Sequence, residues 1–252
     1  MSVATPPPLR SPPIPASSGG QTGLVGRSWA LVLGAGAGTR FGAGGDGATK
    51  VMAAVAGRSM VAWSVEAAQA ACDGVTLVVA SSMVDQFGAG LDAVVAGGET
   101  RSGSVRAGLE TVPEDVDVVV CHDAARPGAS AGLFAGVIAA VRDGADAAAP
   151  ALPVSDTLKR VPEWDDSGGV VAETVDRSGL FAVQTPQAFR REALVAAHAG
   201  EPEATDDAAL VEAAGGTVVA VPGEAAAHKV TTTADLVIVE SLLRGRARDG
   251  GL

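Results

Sequence analysis

Apolar residues recur along the chain in two patterns: short continuous runs, and longer stretches in which apolar positions repeat with a helical period. The short runs predict strands at 29–33, 75–80, 93–96, 116–121, 147–151 and 218–221. The helical period predicts helices at 59–71, 133–141, 190–199 and 205–214. Because strands and helices alternate, the pattern predicts an α/β fold with a mostly parallel, buried sheet flanked by helices.

Two further helices are indicated by polar residues that can cap them. Within the segment GGETRSGSVRAGLE, residues 97–110, Ser102 or Ser104 is expected to cap a helix. The glycine pair that opens this segment is expected to allow close backbone approach. The final helix is expected to open at Thr231 or Thr232.

The regular alternation stops after Pro153. Short β-like pieces at 158–161 and 170–175 flank a polar segment, and together they predict an arm at about 155–185. At the other end of the chain, residues 1–27 are rich in Pro, Ser and Gly and predict a disordered tail. Residues 28–247 are expected to form one domain.

Composition narrows the class of protein. Hydrophobic residues make up 47% of the 252 residues but aromatic residues only 3%, so the core is expected to consist of Ala, Val and Leu. With 18 basic and 29 acidic residues the net charge is −11, which argues against nucleic acid or an anionic membrane as a partner. Cys72, Cys121 and the three histidines are scattered, so a zinc site is not expected. The sequence has no membrane-spanning apolar stretch and no signal-peptide pattern, and we expect a cytoplasmic protein.

The rest of the chain is organised around the stretch from Leu31 to Lys50. A strand leads into a glycine-rich loop, in which backbone N–H groups can converge on an anion while Arg40 and Lys50 add positive charge. Lys50 is followed by Val51, so this is not a Walker A loop, and the dinucleotide fingerprint fails after Ala37. Taken alone, the stretch indicates either a nucleotide-phosphate site or a flexible turn.

A second motif, HDAARP, follows the strand at 116–121. Asp123 and Arg126 fall at the carboxyl end of that strand, the sheet edge at which open α/β folds bind ligands. One carboxylate beside a triphosphate is sufficient for Mg²⁺, whereas the alternative is a structural Asp–Arg turn. Arg177 and Lys229 lie beside Thr and Asp in predicted loops and are further candidates for binding an anion.

Several motifs together resemble one family, the 2-C-methyl-D-erythritol 4-phosphate cytidylyltransferases of the non-mevalonate isoprenoid pathway. The motifs are GAGAGTR, GGETRSGSV, HDAARP, PVSDTLKR, TVDRSGLFAVQTPQAF, TDDAALVE and HKVT, and they span Trp29 to about Arg244. The resemblance implies a Rossmann-like nucleotidyltransferase domain with a protruding β arm that embraces a second subunit in a homodimer.

The resemblance also implies a role for each matching residue. The triphosphate of CTP would be held by the loop Gly34, Ala35, Gly36, Ala37 and Gly38, and the cytidine by Gly98, Glu99 and Ser104. Arg40 and Lys50 would stabilise the reacting phosphates, and Asp123 would bind Mg²⁺. Methylerythritol phosphate would be bound by Arg126, Thr157, Arg177, Thr185, Thr205 and Lys229. Arg177, reaching in from the partner's arm, and Lys229 would also act in catalysis.

The implied reaction needs no general base. The phosphate of methylerythritol phosphate attacks the α-phosphorus of CTP and pyrophosphate leaves; with a second pKa near 6, that phosphate is mostly ionised at pH 7. Catalysis would therefore depend on positioning and on neutralising charge.

Three alternatives remain open on the sequence. A cytidylyltransferase for another polyol phosphate, such as ribitol 5-phosphate, would have the same glycine loop, metal ligand and loop lysine. A non-catalytic nucleotide-binding module is disfavoured by the presence of Arg40, Lys50 and Asp123 together. An NAD oxidoreductase lacks support because the third fingerprint glycine is missing. No second catalytic domain is expected after Leu252, so the fused synthase form known from some bacteria is not expected either.

Overall fold

The computed structural model describes residues 26–36 and 50–248, with side chains as far as residue 245. Three of the predicted site residues, Ala37, Gly38 and Arg40, lie outside the described residues. The predicted disordered tail at 1–27 also lies almost entirely outside them.

The elements alternate as the apolar pattern predicts. The strands are β1 (Arg27–Leu33), β2 (Ala54–Val55), β3 (Arg58–Ser59), β4 (Gly74–Val79), β5 (Ala93–Ala96), β6 (Val116–Asp123), β7 (Ala147–Pro153), β8 (Leu158–Arg160), β9 (Glu173–Val175), β10 (Phe181–Val183), β11 (Gln187–Arg190) and β12 (Val218–Pro222). The helices are α1 (Met60–Gln69), α2 (Arg101–Leu109), α3 (Ala131–Arg142), α4 (Arg191–Ala197), α5 (Asp207–Ala213) and α6 (Thr233–Arg248). The six strands predicted from apolar runs are all confirmed, each within two residues at either end.

The central sheet is mostly parallel, as expected. Among the described residues it has eight strands: β12, β7, β11, β6, β1, β4 and β5 lie side by side, and β10 pairs with β7 next to β11. Strands β10 and β11 are antiparallel to their neighbours, whereas the pairs of β1 with β4 and β6, of β4 with β5 and of β7 with β12 are parallel. The carboxyl ends of β1 and β6 therefore lie together at one edge of the sheet.

Both faces of the sheet are covered, which explains the continuous apolar runs. Successive residues of a strand point to opposite faces, so Ala30 and Val32 pack into one cluster, which includes Phe134 of α3. Trp29 and Leu31 of the same strand pack into a second cluster with side chains of α2, α4 and α5. The core consists mainly of Ala, Val and Leu, as the composition predicts.

The start of α2 differs from the prediction. Thr100, rather than Ser102 or Ser104, is the cap: its backbone is extended and its Oγ1 accepts a hydrogen bond from the N–H of Gly103 at 3.0 Å. Ser102 and Ser104 are already within the helix and are buried. The helix therefore begins directly after the glycine pair and the two residues that follow it.

The ends of three other helices also require correction. Helix α4 begins at Arg191, because Arg190 belongs to β11, and α5 begins after its cap Asp206. Helix α6 begins at Thr233 rather than at Thr231 or Thr232. The carboxylate of Asp235 accepts hydrogen bonds from the N–H groups of both of those threonines, which lie outside the helix.

The segment at 155–185 contains a small two-stranded sheet, separate from the central one, and β10, which joins the central sheet. Strands β8 and β9 pair antiparallel, with Leu158 opposite Val175. The predicted strand at 170–175 is shorter than expected, because only 173–175 pair while Val170 and Val171 are exposed. The prediction missed β10 and β11 here, as well as the β2–β3 hairpin.

Candidate active site

A cavity lies where β1 and β6 end. The last residues of the two strands, Leu33 and Asp123, are partners in the sheet register, so the loops that follow them begin side by side. The cavity has a volume of about 380 Å³. Its position agrees with the rule that ligands bind outside the carboxyl ends of parallel strands.

Many of the predicted site residues line this one cavity. They are Gly34, Ala35, Gly36, Lys50, Gly98, Glu99, Ser104, Asp123 and Lys229. Leu33, Val51, Thr100, Arg101, Ala125 and Thr231 complete the lining. The structure thus brings together residues from four separate stretches of sequence, including the glycine loop, the segment at 97–110, HDAARP and HKVT.

The glycine pair before α2 allows the close approach that the sequence suggested. A Cβ added at Gly97 would lie 2.3 Å from the Cβ of Ala35 and 2.7 Å from the Oγ of Ser104. A Cβ added at Gly98 would lie 2.8 Å from the backbone carbon of Gly103. Any side chain at these positions would therefore separate the first turn of α2 from the glycine loop.

Asp123 is the central acidic group of the site. Its backbone N–H donates to Thr185 Oγ1 at 3.0 Å, which fixes the main chain. Lys229 Nζ donates to its Oδ2 at 2.7 Å, and Arg101 Nε lies 3.4 Å from its Oδ1. Burial raises the pKa of this carboxyl, but Lys229 and then Arg101 lower it by more, so the pKa lies well below its usual range. Asp123 is therefore a carboxylate at neutral pH.

The loop that carries Lys229 is bound to the loop after β6. The N–H of Val230 donates to the carbonyl of Ala125 at 2.8 Å, and Arg126 Nη1 donates to the carbonyl of Ala227 at 2.8 Å. These contacts hold the HDAARP and HKVT motifs side by side. The side chain of Lys229 is 43% exposed. Its methylene groups are partly in contact with solvent, while its ammonium group lies at the cavity.

The remaining predicted substrate residues do not line the cavity. Thr185 is buried behind Asp123, and the second Arg126 terminus, Nη2, lies 3.4 Å from the carbonyl of Val183. Thr157 and Thr205 are exposed in loops. Arg177 is also exposed, and its Nη1 donates to the carbonyl of Val154 at 3.2 Å within the same arm.

Arg101 was given no role in the sequence prediction, although it belongs to the GGETRSGSV motif. It begins α2, directly behind Thr100, and it lines the cavity beside Asp123. Its Nη1 donates to Oδ2 of Asp207 at 2.7 Å. The available sequence signal was its place near a helix N-terminus, shortly after two glycines.

His122, next to Asp123 in the sequence, is not a candidate base in this cavity. It is fully buried, it contacts the ring of Phe134 and it does not line the cavity. Burial lowers its pKa to about 4, against the raising effect of Asp123, so the ring is neutral at pH 7.

Comparison with known proteins decides the family. A family model described as IspD, 2-C-methyl-D-erythritol 4-phosphate cytidylyltransferase, matches residues 29–245. The chain belongs to this family. The match covers the same span as the motif resemblance, and it includes every residue that lines the cavity.

Individual relatives of the chain carry the same name as the family. The chain is 46% identical over 220 residues to the 2-C-methyl-D-erythritol 4-phosphate cytidylyltransferase of Frankia casuarinae, covering 85% of this chain and 80% of the relative. It is 43% identical over 241 residues to that of Streptomyces avermitilis, covering 89% of this chain and 95% of the relative. A bifunctional IspD/IspF enzyme of Clavibacter michiganensis is 44% identical over 253 residues, and the chain spans 59% of its length.

Solved IspD structures share the fold. The crystal structure of 2-C-methyl-D-erythritol 4-phosphate cytidylyltransferase from Thermus thermophilus has a TM-score of 0.70 and is 36% identical. That comparison covers 85% of this chain and 98% of the other. The crystal structure of 4-diphosphocytidyl-2C-methyl-D-erythritol synthase from Anaerococcus prevotii has a TM-score of 0.71 and is 26% identical. That comparison covers 87% of this chain and 96% of the other. The Rossmann-like nucleotidyltransferase fold predicted from the motifs is therefore confirmed.

The donor set at this IspD site suits Mg²⁺ only together with a bound nucleotide. Within residues 26–36 and 50–248, no group of three or more His, Cys, Asp and Glu side chains could hold a metal ion on its own. Asp123 offers one ionised carboxylate to the cavity, and Mg²⁺ is commonly bound by one or two carboxylates together with substrate phosphates. The residues therefore fit a metal that enters with CTP. No helix in the described part of the chain is long and apolar enough to cross a membrane.

Proposed function

We propose that this chain transfers the cytidylyl group of CTP to 2-C-methyl-D-erythritol 4-phosphate, giving 4-diphosphocytidyl-2-C-methyl-D-erythritol and pyrophosphate. The observation that carries the proposal is the single cavity in which Lys50, Asp123 and Lys229 meet the start of the glycine loop, in a chain of the IspD family. The names of the relatives favour methylerythritol phosphate over ribitol 5-phosphate as the acceptor.

In the proposed reaction a phosphate oxygen of methylerythritol phosphate forms a bond to the α-phosphorus of CTP. The bond from that phosphorus to the bridging oxygen of the β-phosphate breaks, and its electron pair leaves with pyrophosphate. The attacking phosphate has a second pKa of about 6, so no side chain has to remove a proton at pH 7. This agrees with the buried position of His122, away from the cavity.

The chain's own contribution is to position the two substrates and to neutralise charge. We assign the triphosphate to the backbone of the glycine loop, 34–38, and the cytidine to Gly98, Glu99 and Ser104. Lys50 and Lys229, together with Arg40, would stabilise the negative charge that builds up on the reacting phosphates. Lys50 and Lys229 both line the cavity at the strand ends, and this supports the assignment.

Asp123 is the residue that we propose as the Mg²⁺ ligand. The metal, when bound with CTP, would neutralise phosphate charge and help to orient the triphosphate. Asp123→Asn keeps the shape of the side chain but removes its charge, and we expect it to lower kcat by roughly 100-fold. A matched control is Asp115→Asn, because Asp115 pairs with Arg27 on the exposed surface.

For the second substrate we propose a shared site in a homodimer. Arg126, Thr157, Arg177, Thr185 and Thr205 are assigned to methylerythritol phosphate, with Arg177 supplied by the partner's arm. Two observations support this: Arg177 lies away from its own chain's cavity, and the segment at 155–185 exposes large apolar side chains. Trp164, Val170, Phe181 and Val183 are the main ones. A second copy of the chain would cover them.

We also propose that the enzyme works in the cytoplasm. Its cysteines, Cys72 and Cys121, are both free, as expected for thiols in a reducing compartment. Burial raises the pKa of Cys72 to about 12, which keeps that thiol protonated and unreactive.

The proposal is tested by measuring pyrophosphate release from the purified protein with Mg²⁺. Methylerythritol 4-phosphate is compared with ribitol 5-phosphate, and CTP with ATP. Release with methylerythritol phosphate and CTP alone supports both substrate assignments. Release only with ribitol phosphate would retain the reaction but overturn the acceptor, and no release with any pair would favour a nucleotide-binding module.

A further inference from the structure

A buried carboxylate outside the cavity connects to the site through Arg101. Asp207, in the first turn of α5, is fully buried. Its Oδ2 accepts from Arg101 Nη1 at 2.7 Å, and its Oδ1 lies 3.0 Å from Nε2 of His198, which must donate because a carboxylate oxygen only accepts. Burial, and then the charge of Asp207, raise the pKa of the Cys121 thiol well above its usual range. The Asp207 carboxylate thus accepts hydrogen bonds from two separate parts of the chain.

The ion pair with Arg101 compensates for the free-energy cost of burying the Asp207 carboxylate. An ionised carboxylate removed from water costs several kcal/mol unless an opposite charge and further hydrogen bonds compensate. Arg101 supplies the charge, and His198 supplies a further hydrogen bond. Burial lowers the pKa of Arg101, but Asp207 and then Asp123 raise it by more, so the guanidinium stays charged.

The two cations beside Asp123 are held in different ways. Arg101, with 22% of its side chain exposed, is anchored at Nη1 by Asp207 while its Nε faces Asp123 Oδ1 at 3.4 Å. Lys229 has no such second carboxylate among its described contacts and is 43% exposed. One oxygen of Asp123 therefore faces a fixed cation, and the other faces a cation that solvent can reach.

We propose that Asp207, supported by His198, is a positioning residue for the cytidylyl transfer. By binding Nη1 it holds the guanidinium of Arg101 at the edge of Asp123 and prevents a closer, two-pronged ion pair between them. The Asp123 carboxylate then remains available for the metal that enters with CTP. This inference rests on the proposed function of the site and adds a residue that does not line the cavity.

The test replaces Asp207 by asparagine and compares it with its neighbour. Asp207→Asn keeps the shape but frees Arg101 to turn toward Asp123. We expect kcat to fall by roughly 10- to 100-fold while KM for CTP changes little, the usual range for loss of a group that orients a metal ligand. The matched control is Asp206→Asn, which removes the same charge one residue away, where asparagine still caps α5.

A second readout does not depend on turnover. Mn²⁺ binding in the presence of CTP, without the acceptor, is measured by electron paramagnetic resonance. We expect weaker Mn²⁺ binding in Asp207→Asn and recovery toward the wild-type affinity in the double variant Arg101→Gln/Asp207→Asn, because the competing cation is then gone as well. A merely structural role for Asp207 predicts no such recovery.

If Asp207→Asn does not fold, two substitutions of His198 test the inference instead. His198→Gln retains an N–H donor at the tip of the side chain, whereas His198→Leu removes it, and we expect kcat and Mn²⁺ affinity to fall only in the leucine variant. Wild-type kcat and Mn²⁺ affinity in all folded variants would overturn the inference. An inactive wild-type protein would overturn the proposed function instead, and the Mn²⁺ titrations would still test the positioning role.

Discussion

The Nζ of Lys229 lies 2.7 Å from Oδ2 of Asp123, although 106 positions separate the two residues in the sequence. The pair joins the end of β6 to the loop before α6, and both side chains line the cavity. Substrate phosphates would enter beside this ion pair. The exposed stem of Lys229 allows its ammonium group to contact them without a backbone movement.

The first prediction concerns that ammonium group. Lys229→Met keeps the apolar stem but removes the charge, and we expect kcat to fall by roughly 100-fold, comparable to the loss of one donor to a transition-state oxyanion. Steady-state rates of pyrophosphate release measure the effect. Lys229→Arg should retain more activity than Lys229→Met.

Arg244→Met is the control for loss of a surface cation. Arg244 is exposed on α6 and pairs only with Glu240 of the same helix among its described contacts. Its replacement should leave kcat unchanged. Equal kcat values for Lys229→Met and Arg244→Met would show that the ammonium group of Lys229 does not contribute to the reaction.

The second prediction concerns the close approach at Gly97. A Cβ there would overlap Ala35 and Ser104, so Gly97→Ala must shift either the glycine loop or α2. We expect KM for CTP to rise and the free energy of unfolding to fall by about 1–3 kcal/mol. Saturation kinetics and urea denaturation measure the two effects.

Gly136→Ala is the matched control for that substitution. Gly136 lies within α3, and a Cβ there would meet nothing within 4 Å. Because glycine is a poor helix former, this change should raise the free energy of unfolding by about 0.5–1 kcal/mol with no change in KM. We therefore expect the free energy of unfolding to fall in Gly97→Ala and to rise in Gly136→Ala. A fall in both variants would show that the space around each glycine does not determine the effect.

The third prediction tests the arm. If Arg177 acts in the partner's site, co-expressing Arg177→Ala with Lys50→Ala subunits restores one intact site in each mixed dimer. Each variant alone should be nearly inactive, whereas the mixture should recover about a quarter of the wild-type activity, since half of the dimers are mixed and each has one complete site. Recovery near zero, with dimers present by sedimentation, would show that Arg177 acts within its own chain or not at all.

The fourth prediction is a pH dependence of stability that originates from His122. Burial lowers its pKa from 6.5 to about 4, so between these values the unfolded chain binds a proton that the folded chain does not. The free energy of unfolding should therefore fall as the pH is lowered from 6.5 to 4, by about 3 kcal/mol from this residue, and its contribution should level off below pH 4.

Urea denaturation across this pH range measures that contribution as a difference between two proteins. In His122→Asn the part of the slope due to the imidazole should disappear, while all other titrating groups contribute equally to both curves. Parallel curves for the wild type and the variant would show that His122 is not the source.

The sequence predicted the elements that bury apolar runs, because a parallel strand covered on both faces leaves a continuous signal, as in β1 and β6. It missed β11, since Gln187 and Arg190 are buried polar residues at the ends of a short strand inserted antiparallel into the sheet. The local motifs likewise identified Asp123 and Lys229. The motif TDDAALVE contains Asp207 but assigns it no role, because its contact with Arg101 joins residues 106 positions apart and has no local signature.

In the reaction that we propose, the acceptor's phosphate attacks the α-phosphorus of CTP. The most direct measurement uses methylerythritol 4-phosphate labelled with ¹⁸O in its phosphate, followed by ³¹P nuclear magnetic resonance of the products. We expect all of the label to stay in a new diphosphate that joins the acceptor to cytidine, and we expect none in the released pyrophosphate. Label in the pyrophosphate, or release of CMP, would contradict it.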